Sequence, residues 1–293
     1  MTEGVPKLRL APLETAEELA HRCERQQRAA GLQREGSLAQ SLAPFRVGSV
    51  RFLNAVPLTR GLEGQVLFAT PSELAAMLQR AELDAALVSV TEPLLRGCYD
   101  ILDGIAIASL GEVKSVFLAH RGPIQGPIEV SCDRASLTSV NLLRVLLAER
   151  GVKARFKPLH SYDFAALPDY TLLIGDTALD FSLAPHSHQI WDLGAAWNDL
   201  TGLPFVYAVW ALRRGIENAP LRRQLCEARQ FGLDTLDAIV RNRTEYDYSF
   251  RKDYLGRHIH YHLGADEKRG LGRFAELLRK HGLGPVFEPG FVV

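Results

Sequence analysis

The sequence predicts an α/β protein of two lobes with a helical C-terminal tail. Three observations carry that expectation. From Phe45 short apolar segments alternate with amphipathic ones, a second series of the same kind begins after "SVFLAHRGP", and from about Glu217 the apolar spacing becomes helical. Short apolar strands separated by helices point to mixed, mostly parallel sheets flanked by helices. The expected division is an N-terminal extension at 1–44, a first lobe of 45–110 plus 211–293, and a second lobe of 111–210. The active-site cleft is expected between the lobes, where such architectures bind ligands.

Each element has a local reason. "LETAEELAHRCERQQRAAG" has capping-box spacing between Thr15 and Glu18 but a thin apolar stripe, and "LQREGSLAQSLAP" reads as a linker. "FRVGSV" is a strand, after which residues 54–62 turn into a helix. "QVLFAT" is the next strand; Thr70, Pro71 and Glu73 then supply the cap, first-turn proline and box partner for a helix. "DAALVSV" is a buried strand, and Ser89 with Glu92 has the spacing of a second capping box. In the second series "IEVSC", "ARFKPL", "YTLLIGD" and "QIWDLG" are strands, and "LTSVNLLRVLLAERG" is an amphipathic helix. A further helix is expected near "AAWNDLTG", followed by the long extended segment "LPFVYAVWALR". Two long strands are expected to cross between the lobes. In the tail, "LRRQLCEARQFGLDTLDAIV" and "RGLGRFAELLRKHG" carry helical apolar spacing.

Composition narrows the function classes. Basic and acidic residues number 34 each in 293 residues, so the electrostatic footprint of a nucleic-acid binder is missing. Cys23, Cys98, Cys132 and Cys226 lie far apart with no CxxC pair. Reduced, mostly buried thiols are expected, not disulfides or a zinc ribbon. The N-terminal stretch has no unbroken apolar run of the secretory kind, and no segment reaches the roughly 20 apolar residues of a membrane span. A cytoplasmic location, with no membrane partner, is the expectation.

Four stretches offer chemistry. Asn54, in "RVGSVRFLNAVPL", stands where a strand ends, and its uncharged amide can donate to a ligand oxygen or cap the next helix. Spacing alone favours capping. Ser136, Thr138 and Ser139 precede or open a long helix, whose free N–H groups and dipole suit a carboxylate; sequence alone favours plain N-capping, and both roles can hold together. Gly175 and Asp176 end a buried strand, the glycine permitting close approach and the aspartate able to cap, contact substrate or act as a base. Ser115, in "GEVKSVFL", has no neighbouring histidine to activate it, and Lys114 beside it reads as solvated. "HIHYH" brings His258, His260 and His262 together without a carboxylate or cysteine in pattern, so no metal is expected. "GLGRF" and "GLGPV" lack the spacing of a phosphate loop, and GxSxG is absent.

Taken in order, "RVGSVRFLNAVPL", "GIAIASLGEVKSV", "SLTSVNLLRVLLAERG", "LLIGDTAL" and "DLGAAWNDLTGLPFVYAVWA" resemble the chorismate dehydratase family of the futalosine route to menaquinone, over about residues 45–282. The resemblance implies a fold like the type 2 periplasmic solute-binding proteins and a cofactor-free lyase. Its substrate would be chorismate, converted to 3-[(1-carboxyvinyl)oxy]benzoate and water. It assigns catalytic roles to Asn54 and Ser115, and with the strand-end and helix-start readings it makes Ser136, Thr138, Ser139, Gly175 and Asp176 the substrate-binding set. Glu112 stands where the family often has proline. The reaction needs donors for two carboxylates, help for a leaving hydroxyl and a base. Aromatisation is strongly downhill, so modest groups placed accurately suffice. A small-carboxylate binding protein of the same fold, or an enzyme acting on another cyclic carboxylate, is the competing reading.

Overall fold

The computed structural model describes residues 42–132 and 137–293, and two sheets organise them. The first has six strands in the order β11-β4-β10-β3-β1-β2: β1 (Val47–Ser49), β2 (Val66–Phe68), β3 (Ala85–Ser89), β4 (Tyr99–Ser109), β10 (Phe205–Arg213) and β11 (Gly290–Val292). The second has five in the order β7-β6-β8-β5-β9: β5 (Val116–His120), β6 (Ile128–Cys132), β7 (Ala154–Pro158), β8 (Tyr170–Ile174) and β9 (Gln189–Asp192). Both sheets are mixed. In the first, β1 runs parallel to β2 and β3 while β10 is antiparallel to β3 and β4; in the second, β6 is parallel to β7 and β8 while β5 is antiparallel to β8 and β9.

Nine α-helices are found among the described residues: α1 (Pro71–Gln79), α2 (Thr91–Arg96), α3 (Leu137–Glu149), α4 (Gly175–Leu183), α5 (Leu193–Thr201), α6 (Ala219–Asp234), α7 (Leu236–Asn242), α8 (Tyr248–Asp253) and α9 (Ala265–Lys280). The Thr70 box forms at α1: Glu73 N–H donates to Thr70 Oγ1, and Thr70 N–H donates to the Glu73 carboxylate at 2.9 Å. The second expected box does not form. Val90 is the cap position of α2, Ser89 turns its hydroxyl elsewhere, and Glu92 accepts instead from Gln79 Nε2 at 2.7 Å. The helix expected at 54–62 is a shorter 3₁₀ helix, Leu53–Leu58, because Pro57 inside it lacks the N–H a longer ladder needs.

The way back from the second sheet comes earlier than residue 210. β10 pairs with β4 along its length, from Phe205 opposite Ser109 to Arg213 opposite Tyr99, so all of 205–213 belongs to the first sheet. An aromatic cluster fixes this junction. Trp197 of α5 stands edge-on to Phe205 of β10 and Phe274 of α9, at 5.1 and 5.9 Å between ring centroids, and all three are buried. The thiols also differ from expectation: Cys132 is buried, whereas Cys98 and Cys226 are exposed. The proposed Thr15 box, Cys23 and Ser136 fall outside the described residues. No helix among the described residues is long and apolar enough to cross a membrane.

Candidate active site

A small pocket of about 80 Å³ opens where the two sheets meet. The first sheet contributes the end of β3 and the residues after β1; the second contributes the residues before β5, the start of α3 and the start of α4. Asn54, Ser115, Thr138, Ser139 and Gly175 all line it. Its remaining described lining is mainly aliphatic and aromatic, and none of its described lining residues is charged.

Asn54 does not cap. Phe52 holds the cap position of the 3₁₀ helix and makes no side-chain capping bond, while Asn54 lies one residue inside the helix. Asn54 Oδ1 is buried and accepts no hydrogen bond. A buried polar atom left without a partner costs roughly 1–3 kcal/mol, so its retention at a pocket wall points to a ligand.

Ser115 is fully buried, just ahead of β5, and its hydroxyl has only a long 3.4 Å contact to Val113 O. Its backbone is fixed from two sides. The Ser115 carbonyl accepts the Gly175 N–H at 2.8 Å. The Asp192 carboxylate accepts the Lys114 N–H at 2.8 Å, the Val113 N–H at 3.1 Å and the Ala195 N–H at 2.9 Å. These bonds hold Lys114 at φ +62°, a conformation a lysine rarely adopts. Burial pushes the Asp192 carboxyl above its ordinary value, with the three amides pulling the other way. Lys114 is not a solvated bystander: its Nζ pairs with Asp253 at 2.9 Å, and Asp253 also receives His258 Nε2 at 3.0 Å.

Two glycines allow the sheets to approach. Gly175 has φ +59°, and a methyl group there would come within 2.9 Å of the Phe52 ring. A methyl group on Gly194 would lie 2.4 Å from Gly111 O and 2.7 Å from the Tyr207 hydroxyl. Tyr207 is the extra residue of a bulge in β10, between the pairs Val206–Ala108 and Ala208–Ile107. Its freed carbonyl accepts from Thr138 Oγ1 at 3.0 Å and from Val90 N–H at 3.1 Å. Thr138 also meets Ser89 Oγ, which meets Thr91 Oγ1 at 2.6 Å. A hydroxyl relay from Thr91 through Ser89 and Thr138 to Tyr207 O thereby ties α3 to the first sheet.

Asp176 is not brought to this pocket. It lines a neighbouring opening with Arg51, Arg60 and Arg243, and its Oδ1 accepts the Leu53 N–H at 3.0 Å, fixing the start of the Asn54 helix. Burial pushes its carboxyl pKa above the ordinary carboxylate value, the Leu53 amide opposes this, and Asp180 and Glu245 add to the rise. Nor do the three histidines of "HIHYH" line the pocket.

Sequence reasoning missed Tyr254. It opens a π-helical turn, Tyr254–His258, a form frequent at functional sites. Its ring is fully buried, and its hydroxyl makes no hydrogen bond of good geometry, yet it lies close enough to Ser115 and Asn54 for both to favour its ionised form. Burial outweighs them and keeps the phenol protonated well above its ordinary range. No motif marks "KDYLGRH"; only the π turn brings the ring under Ser115.

Two mixed sheets with a pocket at their junction define a protein of the periplasmic-binding-protein fold. Solved structures agree: a protein from Archaeoglobus fulgidus superposes with a TM-score of 0.64 at 17% identity, over 82% of this chain and 98% of that one. The periplasmic aliphatic sulphonate-binding protein SsuA of Escherichia coli does so with 0.54 at 15%, over 85% and 93%. Residues 45–280 match the menaquinone biosynthesis family, and the chain belongs to it. A curated relative, the chorismate dehydratase of Thermus thermophilus, is 34% identical over 276 residues, covering 85% of this chain and all of that protein.

Proposed function

We propose that this chain is a chorismate dehydratase, removing water from chorismate to give 3-[(1-carboxyvinyl)oxy]benzoate as a step of menaquinone biosynthesis. Family membership and similarity along the whole length of a chorismate dehydratase support the activity. The observation that carries the site is the buried, unpartnered Asn54 amide oxygen, on the same pocket as Ser115 and the start of α3.

In this reading the two sheets are two lobes, 45–110 with 205–293 and 111–204, closing on the substrate. A substrate carboxylate lies at the N-terminus of α3, where free N–H groups and the helix dipole receive it. Thr138 keeps its hydroxyl for Tyr207 O, so the cradle is mainly backbone, with Ser139 beside it. Gly175 lets the ring approach the start of α4, and Asn54 and Ser115 hydrogen-bond to the departing hydroxyl. With Asp176 on the neighbouring opening, the substrate's own enolpyruvyl carboxylate serves as the base in this reading. It takes the proton from the ether-bearing carbon, the electron pair delocalises through the ring double bond toward the ring carboxylate, and the hydroxyl of the adjacent carbon leaves with its bonding pair, taking up that proton to become water. No electron is gained or lost, so no redox cofactor is required. The enzyme is cytoplasmic, with a small-molecule partner and no nucleic acid or membrane partner.

The test is direct. The purified chain is incubated with chorismate, and the product is followed by its aromatic absorption and by mass. Stoichiometric formation of the benzoate ether is expected; binding without spectral change would make the protein a carboxylate receptor. An analogue without the enolpyruvyl carboxylate should bind weakly and fail to turn over, and normal turnover would exclude the substrate's own carboxylate as base.

A further inference from the structure

Away from the pocket, one cluster combines ligand-type side chains, burial and an atom with nothing to bind. After the π turn the chain runs extended through His260, which exchanges two backbone hydrogen bonds with Ala108, at 2.8 and 3.0 Å. Side chains two apart on an extended chain project to the same side. His260 and His262 accordingly stack, with centroids 5.3 Å apart and planes at 16°. Helix α9 begins soon after, and Glu267 in its first turn folds back on them.

That carboxylate is oriented by its second oxygen. Glu267 Oε2 accepts the Gly264 N–H at 2.9 Å, leaving Oε1 directed at the imidazoles, 3.1 Å from His262 Nε2 and 3.8 Å from His260 Nδ1. Glu267 is 2% exposed, whereas the His262 side chain is about half exposed. Sequence spacing showed no carboxylate for these histidines, because only the turn at Gly264 brings one back. Lys268, the next residue, is engaged by Asp103 at 2.7 Å and does not claim Glu267.

The His262–Glu267 contact and helix capping would account for two of the three residues. They leave His260 Nδ1 buried and without a hydrogen-bond partner. One ligand atom from each of the three residues lies within 4.8 Å of the other two.

We propose that His260, His262 and Glu267 form a binding site for a divalent transition-metal ion of the zinc type. Two imidazoles and one carboxylate are a set that such ions take with a further position left for water. The half-exposed His262 opens that position to solvent, and the Gly264 amide supplies the outer-shell bond that orients the carboxylate. Drawing the ligand atoms to metal distance needs movement of the His262 side chain, which has room to give it. An ion here pins residues 259–264 to α9, behind the strand that carries Ile107 of the pocket wall. The proposal is independent of the dehydratase reading.

The full chain, treated with a chelator and desalted, is titrated with Zn²⁺ by calorimetry and with Co²⁺ by visible absorption. One equivalent of each should bind, Co²⁺ should develop ligand-field bands, and Zn²⁺ should raise the melting temperature. His262→Ala, a change at a half-exposed side chain, should weaken binding by at least about tenfold and abolish the melting shift; Glu267→Gln should weaken binding similarly. Absence of stoichiometric binding overturns the proposal. So does unchanged affinity in His262→Ala, which would place the ion on other side chains such as Cys98 or Cys226.

Discussion

Replacing Asn54 by Ala separates the two roles that an asparagine at a strand end can play. Were it a helix cap, the variant would lose about 1 kcal/mol of stability and little rate. The structure gives the other arithmetic. Asn54 Oδ1 accepts no hydrogen bond and Phe52 holds the cap position, so no capping bond is lost on truncation. The stability change should stay within about 1 kcal/mol, a melting shift of roughly 2–4 °C for a chain of this size. The rate should respond far more strongly. Removing one preorganised dipole from a water-poor site costs on the order of 10²–10³ in kcat, about 3–4 kcal/mol of transition-state stabilisation. The assay is product absorbance under saturating chorismate, beside a thermal melt of the same preparation. A kcat within about threefold of wild type, or a melting loss large enough to account for the lost activity, would refute the reasoning.

Other outcomes follow from the same geometry. Ser115→Ala should lower kcat by at least about tenfold with a melting temperature near wild type, because its hydroxyl has only a 3.4 Å contact to Val113 O and a poorly aligned approach to Tyr254 to lose; kinetics and a melt on one sample check it. Tyr254→Phe removes a buried hydroxyl without a well-formed bond and should likewise spare stability, while a fall in kcat at constant KM would mark the phenol as supporting Ser115 and Asn54. Gly175→Ala must adopt φ +59° and displace the Phe52 ring, so it should destabilise by about 1–3 kcal/mol and raise KM, as denaturation and kinetics would record. Asp84 is pushed up by burial, but bonds from Arg46 outweigh this and hold its carboxyl below the usual 3.8. A depressed folded-state value means its contribution is complete above the unfolded value and fades as pH falls through the folded one. Asp84→Asn should therefore cost on the order of 1 kcal/mol at neutral pH and progressively less below pH 3.8, measured by urea denaturation across pH.

The alternating pattern made most strands legible, since a buried strand announces itself by its own side chains. "IEVSC" is strand β6 end to end, and "YTLLI" is β8. The Thr70 box was legible because both partners lie within one turn. Ser89 and Glu92 had the same spacing, yet Ser89 serves Thr138, some 50 positions along the chain, a partner no local pattern discloses. Within the site, Asn54 and Ser115 were found through the family pattern. Spacing alone pointed to a cap at Asn54 and offered no activating neighbour for Ser115. Asp192, Tyr254 and Glu267 escaped because each acts on groups assembled from other parts of the chain: a positive-φ loop, a pocket wall and a pair of stacked histidines. Asp176 had the right place in sequence, at a strand end, but the turn into α4 carries it to the neighbouring opening.

A crystal of Ser115→Ala soaked with chorismate puts the central claim to the most direct measurement. The ring should lie between Asn54 and the position of the missing hydroxyl, within hydrogen-bonding distance of the Asn54 amide, with one carboxylate on the first N–H groups of α3. Chorismate seated in the arginine-lined opening beside Asp176, or a pocket filled by its own side chains, would contradict the account.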